Sequence, residues 1–323
     1  MKQVWNEISI EEIEGFRIGN AEYPEAGTGC TVILAEPAAL TGADIRGGAP
    51  ASRETALLNP LTANEAVNAV LLSGGSAYGL DAAGGVMQYL EENGIGFQTE
   101  NGVVPIVCAS CLFDLAVGNP KIRPDAALGY NACLNAGNFR EGNHGAGTGA
   151  ACGKLFGMKH ASKSGLGAFA LQYGDLKIGA ITAANPAGNI VNWKTGTVIA
   201  GIQTDGVPEQ NSEAAFASCF DKPFDMFHKN TTLACILTNA KLSKAHLCKV
   251  AAMSHDGFAR ALCPVHTMYD GDSIYVMSTC SVESDVNLVG VLAARVIAEA
   301  LLRSAETAAS AYGLPGRSDG ALH

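Results

Sequence analysis

Apolar and polar positions along this chain follow two different periods. The run from Ala69 to Ser73 is continuously apolar, as in a buried strand. A glycine loop follows it, then apolar residues at helical spacing from about Leu80 to Asn93, then a second strand-like run. That succession predicts an α/β unit. Between Gly167 and Asn192 short apolar runs are separated by Tyr173-Gly174-Asp175 and Asn185-Pro186-Ala187-Gly188, turn signals that predict an antiparallel meander. Past Asn230-Thr231-Thr232 the pattern predicts a strand to about Leu237. Next comes a helix opened by Ser243 as N-cap, with Leu247, Val250, Ala251, Phe258 and Leu262 on one face. "DGDSIYVMST" reads as a turn and a strand, and Ser284 to Tyr312 as a long closing helix ended by Gly313 and Pro315. Strands are grouped and helices flank them, which favours two stacked sheets between helical layers over a doubly wound parallel sheet. No internal repeat, low-complexity tract or long linker divides the chain, so 1–323 reads as a single domain.

Composition narrows the class. With 323 residues, 48% of them hydrophobic, and 38 glycines, the chain has the size of an enzyme, with a large core crossed by many tight turns. The net charge of −10 and the scattered 21 Lys and Arg argue against nucleic acid as a partner, because the basic footprint is missing. "MKQVWNEISIEEIEG" has no apolar core before a small-residue cleavage site, and no window approaches a membrane span. The expected location is therefore cytoplasmic, with no membrane partner. The ten cysteines lie mostly in apolar contexts and read as small core residues of a reducing compartment. Cys108-Ala-Ser-Cys111 has redox or zinc spacing but no second pair to complete a zinc site.

Several familiar templates fail on counting. "SGGSAYG" needs glycine at Tyr78 to be a nucleophile elbow. "HGAGTGAACGKL" would need Gly at Thr148 and Ser or Thr at Leu155 to be a phosphate loop. "DGDSIYV" lacks the later residues of a calcium loop. His255, His266, Asp270 and Asp272 are the remaining metal candidates, and the reading adopted here requires neither metal nor cofactor.

The polar hinge "HKNTTLACIL" (His228 to Leu237) admits three readings. It is a plain junction before a strand, an N-x-[ST] glycosylation acceptor, which matters only in a secreted protein, or a bond the chain cuts in itself. An N-terminal Thr joins a nucleophilic hydroxyl to an α-amine whose pKa of about 7.7–8.0 suits a base at neutral pH. For Thr231 to be one, its hydroxyl would attack the Asn230 carbonyl, form an ester by N-to-O acyl shift, and release the amine on hydrolysis. The tripeptide alone does not choose, since β-branched residues commonly open strands.

A set of segments in fixed order does choose. "RGGAPASRET" (46–55), "LLSGGSAYGLDAAGGVMQYLEENGIGF" (71–97), "FDL" (113–115), "GAGTGAACGK" (145–154), "NTT" (230–232) and "SHDGFARAL" followed by "PVHT" and "DGD" (254–272) together resemble the DmpA-type family of autoprocessing N-terminal-nucleophile hydrolases. That family includes β-peptidyl and D/L-specific aminopeptidases and the nylon-oligomer hydrolases. The resemblance runs from near residue 15 to about residue 280. It implies an α/β fold of the four-layer αββα sandwich type and autocleavage at Asn230/Thr231 into 1–230 and 231–323. The two pieces would stay associated, with a homotetramer of cleaved heterodimers as the expected assembly.

Residue by residue, the resemblance implies Thr231 as nucleophile, Asn185 as an oxyanion-binding amide, Tyr130 as a tyrosine at the site, and Lys154 as a lysine near the nucleophile's amine. Asp270 and Asp272 correspond to the acidic pair of the nylon-hydrolase branch, where the aminopeptidase branch has Ser and Glu. The expected activity is hydrolysis of short peptides or amino-acid oligomer amides through an acyl-enzyme. The alternatives are an aminopeptidase releasing N-terminal residues, or an uncut, non-catalytic relative. Ala51 in "ASRET" and the cysteines of "VCASCLFDL" depart from the family's usual pattern.

Overall fold

The structure is a computed structural model, and it describes residues 4–204, 206–218 and 230–320. Twelve elements build the frame. They are β1 (Phe16–Tyr23), β2 (Thr28–Ile45), β3 (Ala66–Ser73), α1 (Ala82–Glu92), β4 (Val107–Cys111), α2 (Ala126–Leu134), β5 (Leu166–Tyr173), β6 (Leu176–Asn185), β7 (Thr231–Lys241), α3 (Lys244–Ala261), β8 (Ser273–Glu283) and α4 (Val286–Glu306). The strands hydrogen-bond in the order β5-β6-β7-β8-β2-β3-β4, with β1 also on β2.

Four layers result from one ladder rather than from two separate sheets. The first part of β2 pairs with β1 and β3, while Leu40 to Ile45 pair with β8. Its register with β3 breaks between Leu34 and Ala39, where the ladder folds over onto itself. Strand alternation then feeds three cores. In β7, Leu233, Cys235 and Leu237 face the core between the two halves of the ladder, with Ile33, Val70, Leu72, Ile181 and Met277. Ala234 and Ile236 face α3 and α4, against Leu247, Phe258 and Ile297. On the far side Val32, Leu34 and Leu71 pack on Val86 and Leu90 of α1 and Leu128 of α2. Each large aliphatic side chain buried this way contributes roughly 1.5–3 kcal/mol. A charge placed at Ile236, closed in on both faces of the ladder, would break the central strand first.

Local signals account for most element boundaries. Ser243 Oγ accepts the amide of His246 at 3.2 Å and opens α3, as its N-cap position requires. Asp285 does the same for α4 by accepting from Asn287 and Leu288. Three expectations are corrected. Leu262 lies just beyond α3 in extended conformation and pairs with Ile190. The segment Asn189–Val191 does not return along β6 but joins Val198–Ala200 and Leu262–Cys263 in a small separate sheet. The closing helix stops at Glu306, six residues before Tyr312, because the chain turns back there through an Ala311–Leu314 bridge. Among the described residues no helix is long and apolar enough to cross a membrane.

Candidate active site

Strand direction assembles the site. β6 runs antiparallel to β7, so the last residue of β6, Asn185, lies directly opposite the first of β7, Thr231. β8 runs parallel to β7, with Leu233 beside Ser273, so the Asp270-Gly271-Asp272 turn that precedes β8 lies beside the start of β7. Directly opposed residues of an antiparallel pair project to the same face. Thr231 shares its face with Leu233 and Cys235, so its hydroxyl points to the end of the core between the two ladder halves.

Thr231 is 3% exposed, and its Oγ1 accepts the amide of Gly271 at 3.1 Å. Glycine is required at 271, because a Cβ there would come within 2.6 Å of that same oxygen and 2.9 Å of Ala49 O. The preceding residue, Asn230, is also buried; its Nδ2 reaches Tyr269 O at 3.4 Å, while its Oδ1 has no hydrogen-bond partner among the described residues.

Lys154 is buried and reaches the site through Gly153, whose φ of +73° and approach to Gly201 leave no room for a Cβ. Its Nζ donates to Asn185 Oδ1 at 2.7 Å and Asn185 O at 2.9 Å. Desolvation pushes the Lys154 ammonium down to about 7, against the opposing pull of Asp270 and Asp114, so it stands near the point of losing its proton at neutral pH. Asn185 Oδ1 also accepts from Ala151 N at 3.1 Å, and Nδ2 donates to Phe113 O at 3.0 Å. The side-chain amide is thereby fixed with its oxygen toward Lys154.

The two carboxylates are buried and have different partners. Asp270 accepts from Thr267 N and Oγ1 at 3.1 and 2.5 Å; burial, reinforced by Asp272, pushes it up to about 6. Asp272 Oδ1 accepts the amide of Thr232 at 2.7 Å, and Oδ2 accepts from His266 N and Nδ1 at 3.1 and 2.8 Å. Their main-chain oxygens hold the "RGGAP" segment, through Arg46, Gly47 and Ala49 amides.

The structure therefore gathers Thr231, Asn185, Lys154, Asp270 and Asp272, and it does not gather Tyr130. That residue lies in α2, where its hydroxyl donates to Glu92 at 2.7 Å and its ring meets Tyr89 edge-on at 5.7 Å. α2 packs on the outer face of the ladder, on the other side of β1–β4 from the inter-sheet core. Cys108 and Cys111 are both buried in β4, and burial pushes Cys108 up to about 12, away from reactive thiolate.

Sequence reasoning missed two contributors. The Gly271 amide carries no side-chain signal at all. Asp114 carried one, as an acid inside the apolar "CLFDLAV". It is 2% exposed, accepts from Thr28 Oγ1 and Gly75 N at 2.7 Å each, and is pushed up to about 6 by burial.

The profile of peptidase family S58 matches residues 8–318. An uncharacterized aminopeptidase of Mycobacterium tuberculosis (strain ATCC 25618 / H37Rv) is 36% identical over 95% of this chain and 96% of its own length. The 6-aminohexanoate-oligomer endohydrolase of Paenarthrobacter ureafaciens is 34% identical over 84% of this chain and 75% of its own. Among solved structures, the l-aminopeptidase d-ala-esterase/amidase of Ochrobactrum anthropi, described as a variant of the N-terminal-nucleophile hydrolase fold, superposes with a TM-score of 0.68. It is 18% identical and is aligned over 93% of this chain and 86% of its own. A Burkholderia sp. beta-aminopeptidase gives the same TM-score at 16% identity, over 96% and 92%.

Proposed function

The chain belongs to peptidase family S58 and is a hydrolase of amide or peptide bonds, and on that premise we propose that it cuts itself between Asn230 and Thr231 and then works through Thr231. In the precursor step the Thr231 hydroxyl adds to the Asn230 carbonyl, the amide nitrogen leaves with a proton, and water hydrolyses the resulting ester. The product is a free α-amine on Thr231 and a carboxylate on Asn230. In turnover the same hydroxyl adds to a substrate carbonyl, its proton passing to the α-amine. The tetrahedral intermediate expels the substrate's amine, which takes that proton, and water then releases the acyl group. Asn185 supplies an amide N–H for the oxyanion. Lys154, near the midpoint of its protonation at pH 7, keeps that amide oriented and adjusts the charge beside the nucleophile.

The observation that carries this reading is the position of Thr231. It is the first residue of a central strand, register partner of Asn185, with its oxygen on the Gly271 amide. The buried Asn230 Oδ1, which has no partner among the described residues, adds support, since an unsatisfied acceptor costs about 1–3 kcal/mol and cleavage at this junction would relieve it. The test is a denaturing gel with intact mass. Wild type should separate into 1–230 and 231–323, Thr231→Ala should stay whole and inactive, and Thr231→Ser should keep both activities. An uncut Thr231→Ala protein with normal amidase activity would end the proposal.

For the substrate we propose short amino-acid oligomers, on the strength of a Thr nucleophile and the Asp270/Asp272 pair. A second reading, release of single N-terminal residues, is favoured by the full-length match to the mycobacterial aminopeptidase. Trimers with free and acetylated amino ends separate the two, because an exopeptidase requires the free amine and an endohydrolase does not. We also propose a tetramer of cleaved heterodimers, to be measured by light scattering.

A further inference from the structure

Two histidines lie behind Asp272 and are unused by the reading above. His255, in α3, is 1% exposed, and its Nε2 lies 3.1 Å from the main-chain oxygen of Asp44. A carbonyl oxygen only accepts, so Nε2 carries the hydrogen. Burial, with smaller contributions from His266 and Arg46, pushes His255 down to about 4. The ring is therefore neutral at pH 7 and its Nδ1 is an acceptor. That Nδ1 lies 3.1 Å from Nε2 of His266, which must donate. The other ring nitrogen of His266, Nδ1, lies 2.8 Å from Asp272 Oδ2, and a carboxylate also only accepts. His266 thus donates from both nitrogens, which only the imidazolium can do. Asp44, paired with Arg46, faces His255, and Asp272, next to Asp270, faces His266.

We propose that His266 is a positioning residue, a doubly donating imidazolium that locks Asp272 so that its second oxygen holds the Thr232 amide and fixes the strand end presenting Thr231. The inference rests on Thr231 as nucleophile. Both oxygens of Asp272 are spent on orientation, one on Thr232 N and one on His266. His266 itself has φ +56°, a left-handed conformation disfavoured for most residues with a Cβ and held here by its surroundings. Loss of the imidazolium proton would set two acceptor nitrogens against each other or remove the donor from Asp272.

Ring-nitrogen NMR on 15N-histidine-labelled protein reads the protonation directly. At pH 7 one histidine should show both nitrogens protonated and another, His255, only Nε2. The doubly protonated pattern should vanish in His266→Asn, which tolerates the left-handed backbone and retains one side-chain donor. In kinetics, His266→Leu should lose about 10- to 100-fold in kcat with little change in KM, as expected when a nucleophile is misplaced by a fraction of an ångström. His266→Asn should recover most of the loss, because it keeps one side-chain donor toward Asp272. A singly protonated His266 at pH 7, wild-type kcat in His266→Leu, or no recovery of kcat in His266→Asn would each overturn the proposal. Thr231→Ala tests the underlying reading separately, since continued cutting by that variant would remove the nucleophile while leaving the nitrogen pattern to stand on its own.

Discussion

Two buried lysines nine positions apart sit in regions of opposite character. Lys154 and Lys163 are both pushed down to about 7, in each case mainly by desolvation. Lys154 meets the side chain of Asn185 and the field of Asp270 and Asp114 at the strand end that holds Thr231. Lys163 meets main chain; its Nζ donates to Gly147 O and Ala150 O at 2.9 and 3.0 Å and, more closely still, to Ser164 O. Those bonds brace the glycine-rich loop from which Ala151 reaches Asn185. Burial and a lowered pKa are thus common to the lysine at the proposed site and to a bracing lysine. What separates them is the partner. Lys154 bonds a side-chain amide beside two carboxylates at the proposed reacting centre, whereas Lys163 bonds only main-chain carbonyls and ties their loop together.

The largest expected effect falls on the site side of this comparison. Asn185→Ala should lower kcat by about 10² to 10³, the usual cost of losing an oriented donor at a developing oxyanion, and Lys154→Met, which frees that amide from its orientation, should lower it comparably, each with smaller changes in KM and melting temperature. A rise in KM with kcat unchanged would make them substrate-positioning groups instead. Lys163→Met should do the reverse. It removes bonds from an ammonium to buried carbonyls, at roughly 1.5–3 kcal/mol each, and regains part of that by no longer burying the charge. A net loss of about 2–4 kcal/mol in urea unfolding is expected, with kcat of the folded protein reduced far less than in Lys154→Met. Equal kcat losses in the two variants would erase the distinction.

A pH experiment sharpens it further. A lysine whose folded pKa lies near 7 and whose unfolded pKa lies near 10.4 binds more protons when unfolded between those values, so its contribution to stability rises with pH across that window. Below about pH 7 both states are protonated and the cost of burying the cation is fully present. Wild-type stability relative to Lys163→Met should therefore improve from pH 7 to 10, measured by urea midpoints. A flat difference would mean that Lys163 is charged throughout. The smallest effect is expected at Tyr130→Phe, which removes one partly exposed hydrogen bond to Glu92. It should change stability little, because the bond is solvent-screened, and leave kcat unaltered. A large kcat loss there would return Tyr130 to the site from which the fold separates it.

The amino-acid pattern by itself determined where the main elements lie. It also determined that a Thr stands at the mouth of a buried strand and that Asn185, Lys154 and the Asp270-Gly271-Asp272 turn belong to a recurrent set. These are local or ordered features: periods, caps, turn residues, and motifs in sequence. Only the tertiary structure decided which of them meet. Asn185 and Thr231 are partners because β6 and β7 run antiparallel, and the acidic turn joins them because β7 and β8 run parallel. Tyr130 matched the same set by sequence, yet packing on the outer face of β1–β4 takes its helix elsewhere. Gly271 contributes a main-chain amide, invisible in a residue's identity, and His266 takes its protonation from a neighbour eleven positions away and a carboxylate six positions on. Strand register and hydrogen-bond donor counts are properties of segments brought together from different parts of the chain, so they emerge only once the ladder has closed.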